Sequence, residues 1–562
     1  DGVVTSTIET PVLPEGTFAY CSSLETTLIN PSITTIGVSA FDHDRVFKNL
    51  IFEEGQTGIQ LINNITSTGS RSFYLCVAVD ELVLGENLAT LGSYCFYGMI
   101  NFVEYEVPNT IQTINEGAFG GWSSLQKFTI PFVGQSKNRA EDGIEGTLGW
   151  MFGRVKEAET NIAGTTQYYN HQVPYNYYAN AQAVKDCAVF YIPRFPELII
   201  TDATMLGGGA LFDANFIKEL TLPNTLKTIY QHALAYCSGL TSLVIPNSVT
   251  SIRANALAAC NGLKELTIPF VGTSRGGNQD ETQAFSYIFG RDGAGKNTSI
   301  SYASRYSMYY MPYAVGGMTS VSNSWSHFVP TSLTKVYVED DTTLNARSFY
   351  NVPTIRELYI SNTLTELTNG GAFFGMSALN ILSIPFVGKS RGSLGANGHL
   401  GYMFGTNTSG VVQNYSASAS STYYKAPNLK TLIINDETVL SYGAIMNYDT
   451  LTKVTLNEGL KTINDRAFDG CTGLTTMVIP NTVETIESKV FDRCSNLTSL
   501  IIPFVGHNVD DTASLNNEFG RWFGTASFTG STAITQKSGT YYVPTKLTNV
   551  EITNAKYLND YA

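Results

Sequence analysis

The sequence is short of charge, of sign balance and of long apolar runs, and each shortage removes a class of answer. Charged residues make up 14% of the 562, against roughly 25% in an average soluble domain. They are unbalanced as well, 34 Lys and Arg against 47 Asp and Glu, for a net charge of −13. A nucleic-acid binder needs a basic stripe to displace counterions, so that class is excluded. Electrostatic docking on an anionic membrane is excluded on the same ground. No run approaches the ~18 apolar residues of a membrane-spanning helix. The opening residues DGVVTSTIET carry neither the basic nor the apolar region of a leader peptide. Eight cysteines include no C-x-x-C, which argues against a zinc site. The histidines (His43, His171, His232, His327, His399 and His507) form no H-E-x-x-H and recur at no common position. No G-x-S-x-G, P-loop or dinucleotide fingerprint stands in the strand–turn–helix setting it requires. The expectation is a non-enzyme without metal or cofactor.

What the chain does have is repetition. LTSLVIPNSVTSIRANALAACNG, from Leu240, is followed directly by LKELTIPFVG, from Leu263, and preceded directly by IKELTLPNTLKTIYQHALAYCSG, from Ile217. Leu451, Leu474 and Leu497 keep the same spacing, as do Val79, Phe102 and Leu125. The consensus is L-x-x-L-x-I-P-x-x-V-x-x-I-x-x-x-A-F-x-x-C-x-x. Its x-L-x-I portion alternates with period two, the mark of a half-buried strand. In the copy from Leu240, Leu243 and Ile245 face inward while Ser242 and Val244 face out. Pro246 ends the strand because it has no N–H to give. Val249, Ile252, Ala256, Leu257 and Cys260 then close the coil. One coil cannot bury its own apolar face, so neighbours must stack.

The fullest copy, LTTMVIPNTVETIESKVFDRCSN (474–496), resembles the BspA-like branch of the leucine-rich repeat family, and similar text covers about two-thirds of the chain. The resemblance implies a mainly β repeat solenoid: a right-handed, curved array with one continuous parallel sheet. It also implies a bacterial-surface protein engaged in adhesion. The coils near Leu24 and Leu50 are irregular, and residues 52–75 fit poorly.

The pentapeptide IPFVG occurs four times, from Ile130, Ile268, Ile384 and Ile502. Each time the period then fails. The wait for the next strand opening falls into two length classes, a longer one (Leu125 to Phe195, Leu263 to Leu333) and a shorter one (Leu379 to Leu429, Leu497 to Leu547). Residues 1–562 thus read as one array of higher-order blocks: 1–194 with expanded coil 135–194, 195–332 with 273–332, 333–428 with 389–428, and 429–546 with 507–546. Residues 547–562 open a further block and stop before its consensus Phe, which leads us to expect a longer natural protein with its own export signal and anchor. The expanded coils share aromatic-glycine landmarks (GWMFG, SYIFG, GYMFG, RWFGT) and re-entries (FYIP, HFVP, YYKAP, YYVP), a repetition that marks scaffolding. Phe132, Phe270, Phe386 and Phe504 read as packing plugs. Gly134, Gly272, Gly388 and Gly506 read either as backbone freedom for leaving the coil or as points of close ligand approach.

The remaining candidates divide by position. Cys237, Cys260, Cys471, Cys494 and Cys21 share one consensus slot, expected to be a column of buried free thiols. Asp340–Asp341 and Asp510–Asp511 read as solvated turns, and the histidines of the expanded coils as surface residues. Outward strand positions such as Glu104/Glu106, Lys127/Thr129, Glu219/Thr221 and Lys453/Thr455 carry modest polars with no aromatic cluster. Tyr175, Tyr177 and Tyr178 in QYYNHQVPYNYY, with Tyr302 and Tyr306 in SYASRYSMYYMPY, have the tyrosine-rich makeup of binding loops. They serve either as ligand contacts or as packing against the array. The function expected is a surface binding module for a protein or glycan on another surface, with a spacer or self-associating stalk as the alternative.

Overall fold

The computed structural model describes residues 3–5, 11–62, 64–137, 144–154, 168–172, 188–276, 281–290, 329–346, 348–406, 414–418, 421–510, 517–556, 558 and 562. They form two units, Asp1–Lys264 with Ile288–Val315 and Glu265–Tyr287 with Gly316–Ala562. Each unit is a stack of coils, and each regular coil contributes two strands. A main strand of three or four residues is followed, after the Pro turn, by an outer strand of two.

The main ladder of the first unit runs through Val3–Thr5, Thr26–Leu28, Asn49–Ile51, Ile59–Leu61 and Leu82–Leu84, all parallel. It resumes through Glu104–Glu106, Lys127–Ile130, Glu197–Ile200 and Glu219–Thr221. In the second unit Glu265–Ile268, Lys335–Val338, Glu357–Ile360, Ile381–Ile384, Thr431–Ile434 and Lys453–Thr455 pair in order. Thr476–Val478, Ser499–Ile502 and Asn549–Ile552 form a separate ladder. One continuous parallel sheet was the expectation, and the hydrogen bonding corrects it to several. The strands beside these gaps, Leu82–Leu84 and Glu104–Glu106, Lys453–Thr455 and Thr476–Val478, are all three residues long. Length alone is not the cause, since Val3–Thr5, Thr26–Leu28 and Asn49–Ile51 are as short and do pair.

The outer ladder supplies the missing hold. Thr90–Leu91 pairs with Thr113–Ile114 across the first gap and Thr462–Ile463 with Thr485–Ile486 across the second. At the excursions after IPFVG the roles reverse. There the main ladder is whole, Lys127–Ile130 against Glu197–Ile200 and Ile381–Ile384 against Thr431–Ile434, while the outer ladder stops. Residues 52–75 fit the period poorly because Ile59–Leu61 is an additional main strand, pairing with Leu82–Leu84, that the outer ladder skips by joining Thr35–Ile36 directly to Ser67–Thr68.

Each coil closes through an arc that the sequence did not announce. The residues before A-F and before the Cys slot are left-handed: His232 and Tyr236, Asn255 and Ala259, Lys489 and Arg493, with φ of +58°, +63°, +59°, +56°, +55° and +57°. Each such residue costs roughly 1 kcal/mol. In return the reversals aim backbone N–H groups along the stack, Leu234 N to Ala256 O at 2.9 Å and Tyr236 N to Ala258 O at 2.7 Å. Beneath the arcs the consensus Phe residues form a buried column. Ring centroids lie 5.2 Å apart for Phe18–Phe41 and Phe41–Phe73, and 5.7 Å for Phe468–Phe491.

Expanded coils stay in this stack. Their aromatic-glycine landmarks form short helices (Leu148–Phe152 and Leu400–Phe404) or a 3-10 turn (Phe519–Trp522). These take the place of the arc: Phe119 N donates to Met151 O, Phe373 N to Met403 O and Phe491 N to Trp522 O, at 2.9–3.0 Å. Phe404 and Phe523 continue the Phe column at 6.0 and 6.2 Å. Three of the excursions are therefore two shorter ones each, a loop before the arc and an antiparallel hairpin after it; residues 291–328 of the second lie outside the described residues. The hairpins pair Tyr168–Gln172 with Ala188–Ile192, Asn414–Ser418 with Ser421–Tyr424, and Ser531–Gln536 with Gly539–Pro544.

Candidate binding face

Alternation along the main strands leaves every second side chain on the solvent face, and parallel register lines those side chains up in rows. In the second unit one row reads Glu265, Lys335, Glu357, Ile381, Thr431 and Lys453. The next reads Thr267, Tyr337, Tyr359, Ser383, Ile433 and Thr455. Tyr337 and Tyr359 stack at 4.8 Å with planes 17° apart. The Lys335 ammonium stands over both rings, 5.0 and 5.8 Å from their centroids. The Tyr359 hydroxyl donates to Glu357 Oε2 at 3.0 Å, and Lys335 meets Glu265 at 3.7 Å. Burial, then the Glu357 hydrogen bond, hold the Tyr359 hydroxyl above its ordinary range. The face is thus a fixed aromatic pair ringed by alternating charge, with apolar Ile381 and Ile433 beside it. The expectation that outward positions hold no aromatic cluster is corrected here. Its signal was legible in KVYV and ELYI, where tyrosine falls on the outward beat.

The first unit's face is different. Glu104, Glu106 and Glu219 are exposed, and Lys127 bridges to Glu197 at 2.8 Å. An open cleft of about 860 Å³ lies between Glu219–Thr221 and Ser242–Val244, two strands that do not pair with one another. On the arc side of the second unit, a smaller cavity of about 420 Å³ is floored by Met376, Phe404 and Ala426 and walled by Phe374 and Tyr424.

The residues singled out from sequence fall as follows. Tyr175, Tyr177, Tyr178, Tyr302 and Tyr306 lie outside the described residues. Phe132, Phe270, Phe386 and Phe504 are buried. Gly134, Gly272, Gly388 and Gly506 have φ of +86°, +81°, +98° and +104°. At the first three a Cβ would collide with a carbonyl of the returning loop, that of Glu145, Thr282 or Asn397. The next residue's N–H donates to that same carbonyl, at 2.7, 2.9 and 2.7 Å. These glycines serve the chain's approach to itself. Cys237, Cys260, Cys471 and Cys494 are buried free thiols. Each Sγ donates to a carbonyl of the preceding coil, that of Leu211, Leu234, Ile445 or Phe468, at 3.1 Å. Burial pushes the Cys260 and Cys471 thiols up to about 12, so they are unreactive.

Two expectations are corrected. Asp341 is buried rather than solvated. Its carboxylate accepts from Val271 N (2.9 Å), Gly276 N (3.1 Å) and Thr342 N (2.9 Å), and so pins the loop after IPFVG. Glu437 repeats this one block later, accepting from Val387 N, Gly392 N and Thr438 N at 3.1, 2.7 and 2.8 Å. Neighbouring Asp340 pairs with Arg275, and Asp436 with Arg391. His399 is likewise buried, between the Tyr442 carbonyl at 2.9 Å and the Tyr423 hydroxyl at 3.1 Å, because it precedes the short helix that fills the arc. The pinned loops GTSRG and GKSRG match G-x-S-x-G in letters only: Ser390 Oγ meets Ser393 Oγ at 2.9 Å. Among the described residues no group of three or more His, Cys, Asp or Glu is placed to hold a metal. No described helix is long and apolar enough to cross a membrane.

The sequence profile described as BspA type leucine-rich repeat region, in 6 copies, matches residues 5–60, 44–138, 180–278 and 418–517. No curated protein matches the chain. Among solved structures, a leucine-rich repeat protein from Bacteroides ovatus is similar at 13% identity, over 89% of this chain and 87% of that one, with a TM-score of 0.24. A leucine-rich cell surface protein from Faecalibacterium prausnitzii is similar at 12% identity, over 99% and 89%, with a TM-score of 0.20. A leucine-rich repeat protein from Eubacterium ventriosum is similar at 16% identity, over 88% and 91%, with a TM-score of 0.21.

Proposed function

The chain belongs to the BspA-type leucine-rich repeat family, and from that premise we propose that it is a non-enzymatic adhesion module at a bacterial cell surface, binding a protein partner. The observation that carries this reading is the Tyr337–Tyr359 pair, held rigid on the solvent face by stacking, Lys335 and Glu357. Rigid tyrosines lose little entropy on binding and are favoured contact residues. A sugar would need an open ring face. Here each ring covers one face of the other and the Lys335 ammonium stands over both, which suits a protein surface better than a glycan. The tyrosine-rich stretches holding Tyr175, Tyr177, Tyr178, Tyr302 and Tyr306 would supply separate contacts, on the strength of their composition. The test is capture of host and bacterial surface proteins by the whole chain, against the double variant Tyr337→Ala/Tyr359→Ala. A partner retained equally by the variant rules this face out; partners found only on glycan arrays overturn the protein reading.

A further inference from the structure

We propose that Asp44 makes the second coil an acid-stabilised element, so that the N-terminal coils hold tightly in acid and loosen as the pH rises toward neutrality. The inference rests on what Asp44 replaces. It occupies the Cys slot of its coil, between Cys21 of the coil before and Cys76 of the coil after. In other coils the slot thiol donates to a carbonyl of the preceding coil, as Cys237 does to Leu211 O and Cys76 to Phe41 O, both at 3.1 Å. For Asp44 the corresponding acceptor is Phe18 O, which already receives the Cys21 N–H at 3.2 Å. A carboxylate has no proton to give to that oxygen; a neutral carboxyl does, and reproduces the thiol's bond.

The surroundings favour the neutral form. Asp44 is fully buried and neither carboxylate oxygen has a hydrogen-bond partner. The groups facing it are the Cys21 and Cys76 thiols and, from its own coil, the Asp42 carboxylate, which is itself held by Ser39, His43 and Arg71. Arg45 and Lys48 are exposed and form no ion pair with it. Burial, reinforced by the charge of Asp42, pushes the Asp44 carboxyl up to about 6; the Cys21 amide pulls the other way without forming a bond of good geometry. An unfolded aspartate titrates near ~3.9. The fold therefore binds the proton more tightly than the unfolded chain. The stabilisation is complete below about 4 and is lost as the pH rises through 6.

The test is residue-resolved amide exchange on the intact chain between about pH 4 and 7.5, corrected for intrinsic rates. It compares wild type with Asp44→Asn, which keeps the shape without the titration, and Asp44→Cys, which restores the consensus slot. In wild type, protection of the Phe18–Tyr20 and Phe41–His43 arcs falls by up to roughly tenfold per pH unit between about 4 and 6 and levels off above, while arcs at Ala235 and Phe468 do not follow. In both variants the dependence disappears. Wild-type protection that stays flat overturns the proposal, as does a variant that keeps the wild-type slope. Should Asp44→Asn fail to fold, Asp44→Cys alone decides.

Discussion

A regular coil and an expanded coil of this chain solve the same stacking problem with opposite halves of the same apparatus. Between regular coils the main ladder can lapse, as between Lys453–Thr455 and Thr476–Val478, because the outer pair Thr462–Ile463 with Thr485–Ile486 holds the step. Across an excursion the outer ladder lapses and the main ladder holds through four-residue strands such as Ile381–Ile384 and Thr431–Ile434. Inserted length is tolerated where one ladder and the Phe column survive it. Loop closure grows only slowly in cost with loop length, so excursions of either length class burden the stack little once the arc position is refilled.

That comparison can be broken by substitution. The largest effect is expected from Ile268→Asp, which places an unpaired charge at a fully buried main-strand position and costs about 3–5 kcal/mol by denaturant unfolding. Phe404→Ala, in an expanded coil, and Phe468→Ala, in a regular one, should then cost the same, about 3–5 kcal/mol each. A cost below about 1 kcal/mol for Phe404 alone would remove its helix from the stack. Asp341→Ala removes the acceptor of three backbone amides, of which Val271's is buried, and should cost about 1–3 kcal/mol. Asp340→Ala breaks only a partly exposed pair and should cost under about 1 kcal/mol; exchange at Gly276 separates the two.

Smaller effects sharpen the picture. Burial pushes Asp213 up to about 6, and burial with the charge of Asp469 does the same for Asp492. Both folded values lie above the unfolded one, so each contributes most in acid, and melting temperature should be higher at pH 5 than at pH 8. Replacing Asp213 and Asp492 by Asn should flatten that slope. A change in stability of only about 1 kcal/mol is expected for Tyr337→Ala/Tyr359→Ala. A large fall in melting temperature would assign those rings to the core instead of a contact face.

The period, the inward positions and the aromatic-glycine landmarks were legible in the sequence because they are local and repeated: Leu243, Ile245 and Phe404 are buried where the spacing requires. What was not legible depends on partners far along the chain. Asp341 reads as a turn residue until Val271, 70 residues away, supplies an amide. His399 reads as a surface histidine until Tyr442, 43 residues on, supplies a carbonyl. The left-handed pairs escaped for another reason. Tyr, Ala, Lys and Arg have no preference for that conformation, so Tyr236, Ala259, Lys489 and Arg493 adopt it under the demand of the stack and not by local propensity. For the candidate face, the outward tyrosines Tyr337 and Tyr359 stood in plain alternation, but their pairing depends on the register of strands separated in sequence by a full coil.

The expanded coils remain in phase with the regular ones. Residue-resolved amide exchange tests this most directly at the strands that follow each excursion. Slow exchange at Glu197–Ile200 and Thr431–Ile434, matching that of Glu357–Ile360, is the predicted result. Fast exchange confined to the strands after each excursion would show the stack to be interrupted there, and would contradict the account.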